Sequence, residues 1–145
     1  MQVAIPDANL RAAIAAELGK ASGAPITRDE MATLTRLSAW QTNTRNLAGL
    51  EFATSLTWLN LGDNNITDLS ALSGLTNLTF LDLHFNSISD VSALSGLTNL
   101  KDLSLRNNNS ISDVSALSGL INLTRLALSA NSITDVSGLS SLTNL

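Results

Sequence analysis

At 145 residues, with 44% hydrophobic, 14% charged and 3% aromatic residues and a formal net charge of −4, the chain is long enough for one domain with a continuous core. No basic run exists to neutralise phosphates, which sets nucleic acid aside as a partner, and no apolar run nears the roughly 20 residues that span a bilayer, so no membrane insertion is expected. Cysteine is absent, so disulfides cannot hold the fold.

Residues 1–33 carry no repeat. Met1–Pro6 lacks a positively charged head followed by an apolar stretch and does not read as a signal peptide. Asp7 stands where a carboxylate caps a helix with Leu10, Ile14 and Leu18 on one face and Gly19 at its end. Ser22-Gly23-Ala24-Pro25 then leads to Thr27-Arg28-Asp29-Glu30, a capping box that opens a second helix through Met31 and Leu34.

From Leu34 onward the chain repeats on a period of 22. Leu56–Asn77, Leu78–Asn99, Leu100–Asn122 and Leu123–Asn144 share the pattern LxxLxLxxNxIxDxxxLxxLxN, and Leu34–Ser55 is a weaker copy that keeps Leu34, Leu37, Leu47 and Leu50. The copy beginning at Leu100 has one extra residue within Arg106–Ser110. Alternation such as Leu81-Asp82-Leu83 makes a short strand, its leucines inward and the residue between them toward solvent. Parallel strands are therefore expected around Leu37, Leu59, Leu81, Leu103 and Leu126. An asparagine follows each strand of the regular copies (Asn64, Asn86, one of Asn107 to Asn109, and Asn131), where a buried amide bonds the backbones of adjoining copies into a ladder. Asp68, Asp90, Asp113 and Asp135 read as caps of brief helical turns, in preference to a metal ladder. One such coil cannot bury its leucines, but a stack can.

These spacings resemble bacterial leucine-rich repeats of the 22-residue, internalin-like class over residues 34–145. The resemblance implies an α/β solenoid, a right-handed superhelix with a parallel sheet on its concave face and short 3₁₀ turns on its convex face. Residues 1–33 are similar to the helical N-terminal cap of that class, which covers the leucines of the first coil. The class also implies a non-enzymatic binding protein that works outside the cell or at its surface.

The copies differ from one another unevenly. Ser70–Leu75 (SALSGL) recurs at Ser92–Leu97 and Ser115–Leu120, whereas the concave columns change in every copy. The third position reads Arg36, Trp58, Phe80, Asp102, Arg125; the fifth Ser38, Asn60, Asp82, Ser104, Ala127; the seventh Trp40, Gly62, His84, Arg106, Ser129; the eighth Gln41, Asp63, Phe85, Asn107, Ala130. Of the five aromatics, Trp40, Trp58, Phe80 and Phe85 fall in these columns together with the single histidine, His84, while Phe52 reads as core. Large aromatics exposed together mark a contact surface. Arg36, Trp40, Trp58, Asn60, Phe80, Asp82, His84, Phe85, Asp102 and Arg106 thus form the expected site for a protein or glycan partner. Arg36 is placed for a cation–π contact with Trp58, and Asp102 for an ion pair with Arg125. The alternative reading is a structural spacer within a larger surface protein.

Asp82, His84 and Ser104 share this face and invite a hydrolase reading. A triad, however, needs the serine within reach of the histidine and oxyanion donors in a pocket, and an open sheet supplies neither. With one histidine and no cysteine, no catalytic, metal or cofactor site is expected. The sequons at Asn65, Asn77, Asn108 and Asn122 belong to the repeat pattern, and several lie where the amide is needed internally. The extra residue is expected to bulge outward around Asn107–Ser110 with Leu105 and Ile111 still inside. Leu139, Leu142 and Leu145 lie on a coil that no further repeat covers, so that end is expected either to pair with a second copy or to fray.

Overall fold

The computed structural model describes residues 1–145. Five three-residue strands, β1 (Arg36–Ser38), β2 (Trp58–Asn60), β3 (Phe80–Asp82), β4 (Asp102–Ser104) and β5 (Arg125–Ala127), lie side by side in chain order. All pairs are parallel, and the register runs unbroken through Arg36, Trp58, Phe80, Asp102 and Arg125. The central leucines Leu37, Leu59, Leu81 and Leu103 are fully buried, while the outward neighbours on either side keep contact with solvent. Each coil returns through a 3₁₀ turn: Leu50–Phe52, Ser70–Leu72, Ser92–Leu94, Ser115–Leu117 and Ser137–Leu139. The result is a leucine-rich-repeat solenoid whose sheet forms the concave face.

The turns form because each aspartate satisfies the backbone that begins them. Asp68 accepts from the Ser70 N–H at 2.8 Å, and Asp90, Asp113 and Asp135 do the same for Ser92, Ser115 and Ser137. Each carboxylate is held below its ordinary pKa by that serine's N–H and hydroxyl, the hydroxyl leading at Asp113.

Asparagine ladders join one coil to the next. Asn86 accepts from the Ile66 N–H at 2.9 Å and donates to Leu61 O and Leu83 O. Asn64 serves Thr44 and Ala39 in the same way, and Asn108 serves Ile88 and Leu83. Asn108 is therefore the ladder residue of the copy with the insertion. A second ladder, unread in the sequence, runs along the last position of the repeat, where Asn77, Asn99, Asn122 and Asn144 donate to Thr54 O, Thr76 O, Thr98 O and Ile121 O. All four sequon amides are committed to bonds of this kind or, for Asn65, to Asn43 Oδ1.

The inserted residue falls just after Asn108, with Asn109 in the left-handed region at φ 65°. As expected, Leu105 and Ile111 remain buried. The bulge nonetheless breaks the ladder: Ile111 N–H has no acceptor within the chain, and the buried Asn131 Oδ1, which should accept it, has no donor.

At the other end, α1 (Ala8–Glu17) and α2 (Arg28–Thr33) cover the first coil, burying Leu10, Ile14 and Met31. Gly19, at φ +65°, lets Gly19 N–H and Lys20 N–H return to Ala16 O and Ala15 O and close α1. The capping box of Thr27 and Glu30 is present, and Leu34 ends α2 instead of belonging to it. Asp7 does more than cap α1. Its Oδ1 accepts from Asn9 and Leu10, and its Oδ2 accepts from Arg45 and Asn46 of the first coil. Burial opposes its charge, yet these four donors together hold its pKa below the ordinary value. One carboxylate thereby fastens the helical cap to the solenoid. Phe52 is only partly buried, with the Arg28 guanidinium 4.3 Å above its ring.

The last coil is not frayed. Its Ser137–Leu139 turn and the Asn144 bond repeat the geometry of earlier coils. Val136 and Leu145 are 59% and 55% exposed, and Leu126, Leu128 and Leu139 are only partly buried.

Candidate concave contact surface

Strand pairing places the third-position residues of neighbouring coils about 4.8 Å apart, which is close to the thickness of a pair of stacked rings. Trp58 and Phe80 stack with centroids 5.0 Å apart and planes 7° from parallel. The Arg36 guanidinium lies 4.3 Å from the centre of the Trp58 ring. Because β1 and β3 flank β2, guanidinium and phenyl ring cover opposite faces of the indole. Further along the row, Arg125 bonds Asp102 at 3.1 Å. Arg36, Trp58, Asp102 and Arg125 thus each have a lateral partner in the row, with the two arginines at its ends exposed and Trp58, Phe80 and Asp102 between them partly buried.

The fifth column is also occupied with local work. Asn60 accepts from Gly62 N–H at 2.9 Å, and Asp82 accepts from His84 N–H at 3.0 Å. Such Asx turns steer the chain out of the strand. Asp82 Oδ1 also meets His84 Nδ1 at 2.6 Å. The imidazole lies over Gly62, where an added Cβ would come within 2.3 Å of the ring, so only glycine leaves room for it. Ser104 forms no hydrogen bond with His84; the ring's partner is Asp82.

Past the strand ends the pattern changes. All five eighth-position residues, Gln41, Asp63, Phe85, Asn107 and Ala130, have positive φ between 50° and 56°. Asn and Asp tolerate this region, but for Phe85 it carries backbone strain. Phe85 is 51% exposed and Trp40 is 50% exposed. His84 meets Phe85 edge to face at 5.6 Å. Arg106 is exposed, and the salt bridges of the chain leave it without an acidic partner.

A family profile described as Leucine Rich repeats (2 copies) matches residues 54–96 and 76–119. No curated protein sequence matches significantly. Among solved structures, an internalin C2 from Listeria monocytogenes is 39% identical with a TM-score of 0.92, the match covering 97% of this chain and 62% of that one. The chain is a leucine-rich-repeat protein of the bacterial, internalin-like class. A second internalin, InlF of Listeria monocytogenes, is 34% identical with a TM-score of 0.79 over 97% of this chain and 48% of its own. A structure of the CBM51-2 and INT domains of Clostridium perfringens ZmpB is 34% identical over 61% of this chain and 19% of its own, with a TM-score of 0.56. The internalin-like chain thus spans 62% and 48% of the two Listeria structures it matches.

In this internalin-like solenoid the ten expected contact residues fall into two groups. Arg36, Trp58, Phe80 and Asp102 form the laterally paired row, and Asn60 and Asp82 serve turns. Trp40, Phe85 and Arg106 stay open beyond the strand ends, with His84 packed between the groups. Asp63, absent from the expected set, lies on the same edge, partly exposed and laterally next to Phe85. The repeat spacing places Asp63 in that column, but its freedom from internal partners is visible only in three dimensions.

Proposed function

We propose that the chain is a non-enzymatic binding module that presents its concave face to a protein or glycan partner outside the cell or at its surface. The observation that carries this reading is the collection of four of the five aromatics and the only histidine on one face, while the convex turns repeat almost unchanged. The whole set from Arg36 to Arg106 belongs to this proposal. Burying exposed aromatic area against a partner is favourable, and such residues dominate interface energetics.

The test uses two probes, a random displayed-peptide library and a glycan microarray. The expected result is specific capture by wild type, lost in a W40A/W58A/F80A/F85A variant and retained in a convex S95K control, both with wild-type circular dichroism. Capture unaffected by the quadruple change removes the concave face as the site. The spacer reading draws on the lateral satisfaction of the third-position row; it expects no specific capture with either probe. Pairing of two copies through the last coil, at the partly buried Leu139 and the exposed Leu145 beside Leu126 and Leu128 of the edge strand, is part of the same proposal, although Leu142 of that row is buried within the chain; sedimentation at micromolar concentration checks it, with a clean monomer ending it.

A further inference from the structure

Building on the concave-face reading, we infer that contact is made along the strand ends, by Trp40, Asp63, Phe85 and Arg106, and that the occupant is a protein segment with an apolar side chain set between a carboxylate and a basic group. The stacked Trp58–Phe80 row supports this edge from beside it.

The first reason is availability. Both faces of Trp58 are already covered, and Asp102 and Arg125 neutralise one another. By contrast, Trp40 and Phe85 are half exposed, and neither Asp63 nor Arg106 has an ion-pair partner. Along this edge they are the charges that no internal ion pair answers; Arg36, also without an ion pair, is instead stacked on Trp58.

The second reason is geometry. The backbone bonds Asp63 N–H to His84 O (2.8 Å), Asn64 N–H to Phe85 O (3.1 Å) and Phe85 N–H to Arg106 O (3.1 Å) carry the lateral register beyond the strands. Asp63 and Arg106 are then two coils apart, on the order of 10 Å, with the Phe85 coil between them. The imidazole of His84 fills the space over Gly62, in the coil between those of Trp40 and His84. The His84–Phe85 pair and Trp40, two coils before His84, therefore line one edge, with a negative charge beside it at Asp63 and a positive one at Arg106.

The third reason is strain. Phe85 holds a left-handed backbone at φ 50°, as Gln41 and Ala130 also do in this column, but it is the one aromatic there, half exposed, and nothing in the core needs a phenyl ring at that position. A contact with a partner accounts for an aromatic at that position.

Charge complementarity selects the occupant. A polyanion or acidic glycan would suit Arg106 but be repelled by Asp63, and a neutral glycan, though its hydroxyls can bond both groups, would neutralise neither charge. A polypeptide alone readily carries acid, apolar group and base in order, at the rise of an extended chain of about 3.3 Å per residue.

Peptides selected from the displayed library on wild type should carry an acidic and a basic residue flanking an aromatic or aliphatic one. By titration calorimetry, R106E and D63K should each weaken a selected synthetic peptide by about tenfold or more, and a peptide with its two charges exchanged should recover binding to the D63K/R106E double variant. Gln41 and Ala130 show that other side chains are accommodated on the left-handed backbone of Asp63 at some cost in strain, and circular dichroism checks that D63K keeps the fold. Failure of the charge-exchanged peptide to recover binding overturns the inference. So does binding that ignores R106E and D63K yet is lost in W58A/F80A, or capture of glycans in place of peptides; in both of those cases the concave-face reading still stands. Selected peptides indifferent to every concave change overturn both.

Discussion

On the convex side the same polar groups end in the same bonds coil after coil, whereas on the concave side no two coils carry the same residues. The aspartate-to-serine bond recurs at 2.8 Å in four coils. Across the sheet, by contrast, the third position passes from Arg36 through two stacked rings to an ion pair. A turn that returns the chain to the next coil at fixed spacing has few solutions, since each buried N–H and C=O must find a partner. A side chain standing on an open sheet affects only its lateral neighbours. The regular side keeps the stack in register, and the irregular side is free to differ.

The largest expected effect breaks the regular side. Asn86→Ala leaves the buried Ile66 N–H without a partner and removes one of the two amide donors of Leu61 O and of Leu83 O, and should destabilise the protein by roughly 3 kcal/mol in urea unfolding. Asn131→Ala should cost only about 1 kcal/mol, because its Oδ1 already lacks a donor. Equal losses at the two positions would show that the ladder is not what joins the coils.

Deleting Ser110 restores the 22-residue spacing and lets the residue after Asn109 donate to Asn131 Oδ1. A gain of roughly 1–2 kcal/mol is expected, with slower hydrogen exchange at that amide. A loss would mean that the bulge is favourable in its own right.

On the irregular side, Phe85→Asn relieves the left-handed strain and should raise stability by about 1 kcal/mol while weakening any concave partner. A stability loss would show that Phe85 is packing the fold and not awaiting contact. Removing Trp58 and Phe80 in a double-mutant cycle should reveal a coupling of about 0.5–1.5 kcal/mol from their stacking.

The smallest effect is the acid response of the turns. Asp7 and the convex aspartates have folded pKa values below the ordinary 3.8. Their contribution is complete above that value and is lost as pH falls through the lower folded values. Urea midpoints should hold from pH 7 to 5 and drop below pH 4, with a shallower drop in D90N/D113N. A decline already under way at pH 6 would implicate other groups.

The fold was largely legible in the residues. Period 22 and the LxL alternation place the strands, because a two-residue side-chain period and a repeated leucine spacing admit one register. The stacking partners also followed, since parallel pairing puts Trp58 beside Arg36 and Phe80. The candidate site was legible only as a face. Every concave column looked equally exposed on paper, and which side chains were already in use could not be read from spacing.

That distinction rests on tertiary geometry. Asp7 was readable as a helix cap, but its second oxygen reaches Arg45 and Asn46, far along the chain, only once the cap is docked. Gly62 looked like a missing side chain until the His84 ring was seen above it. The eighth column gave no sign of its left-handed backbone, because Gln41, Phe85 and Ala130 are not residues that advertise it. Periodicity that any stack must obey was enough to specify the coil, its core and its face. Which charges and rings on that face remain free is settled by three-dimensional contacts, because lateral hydrogen bonds, ring stacking and ion pairs form between residues 20 or more positions apart.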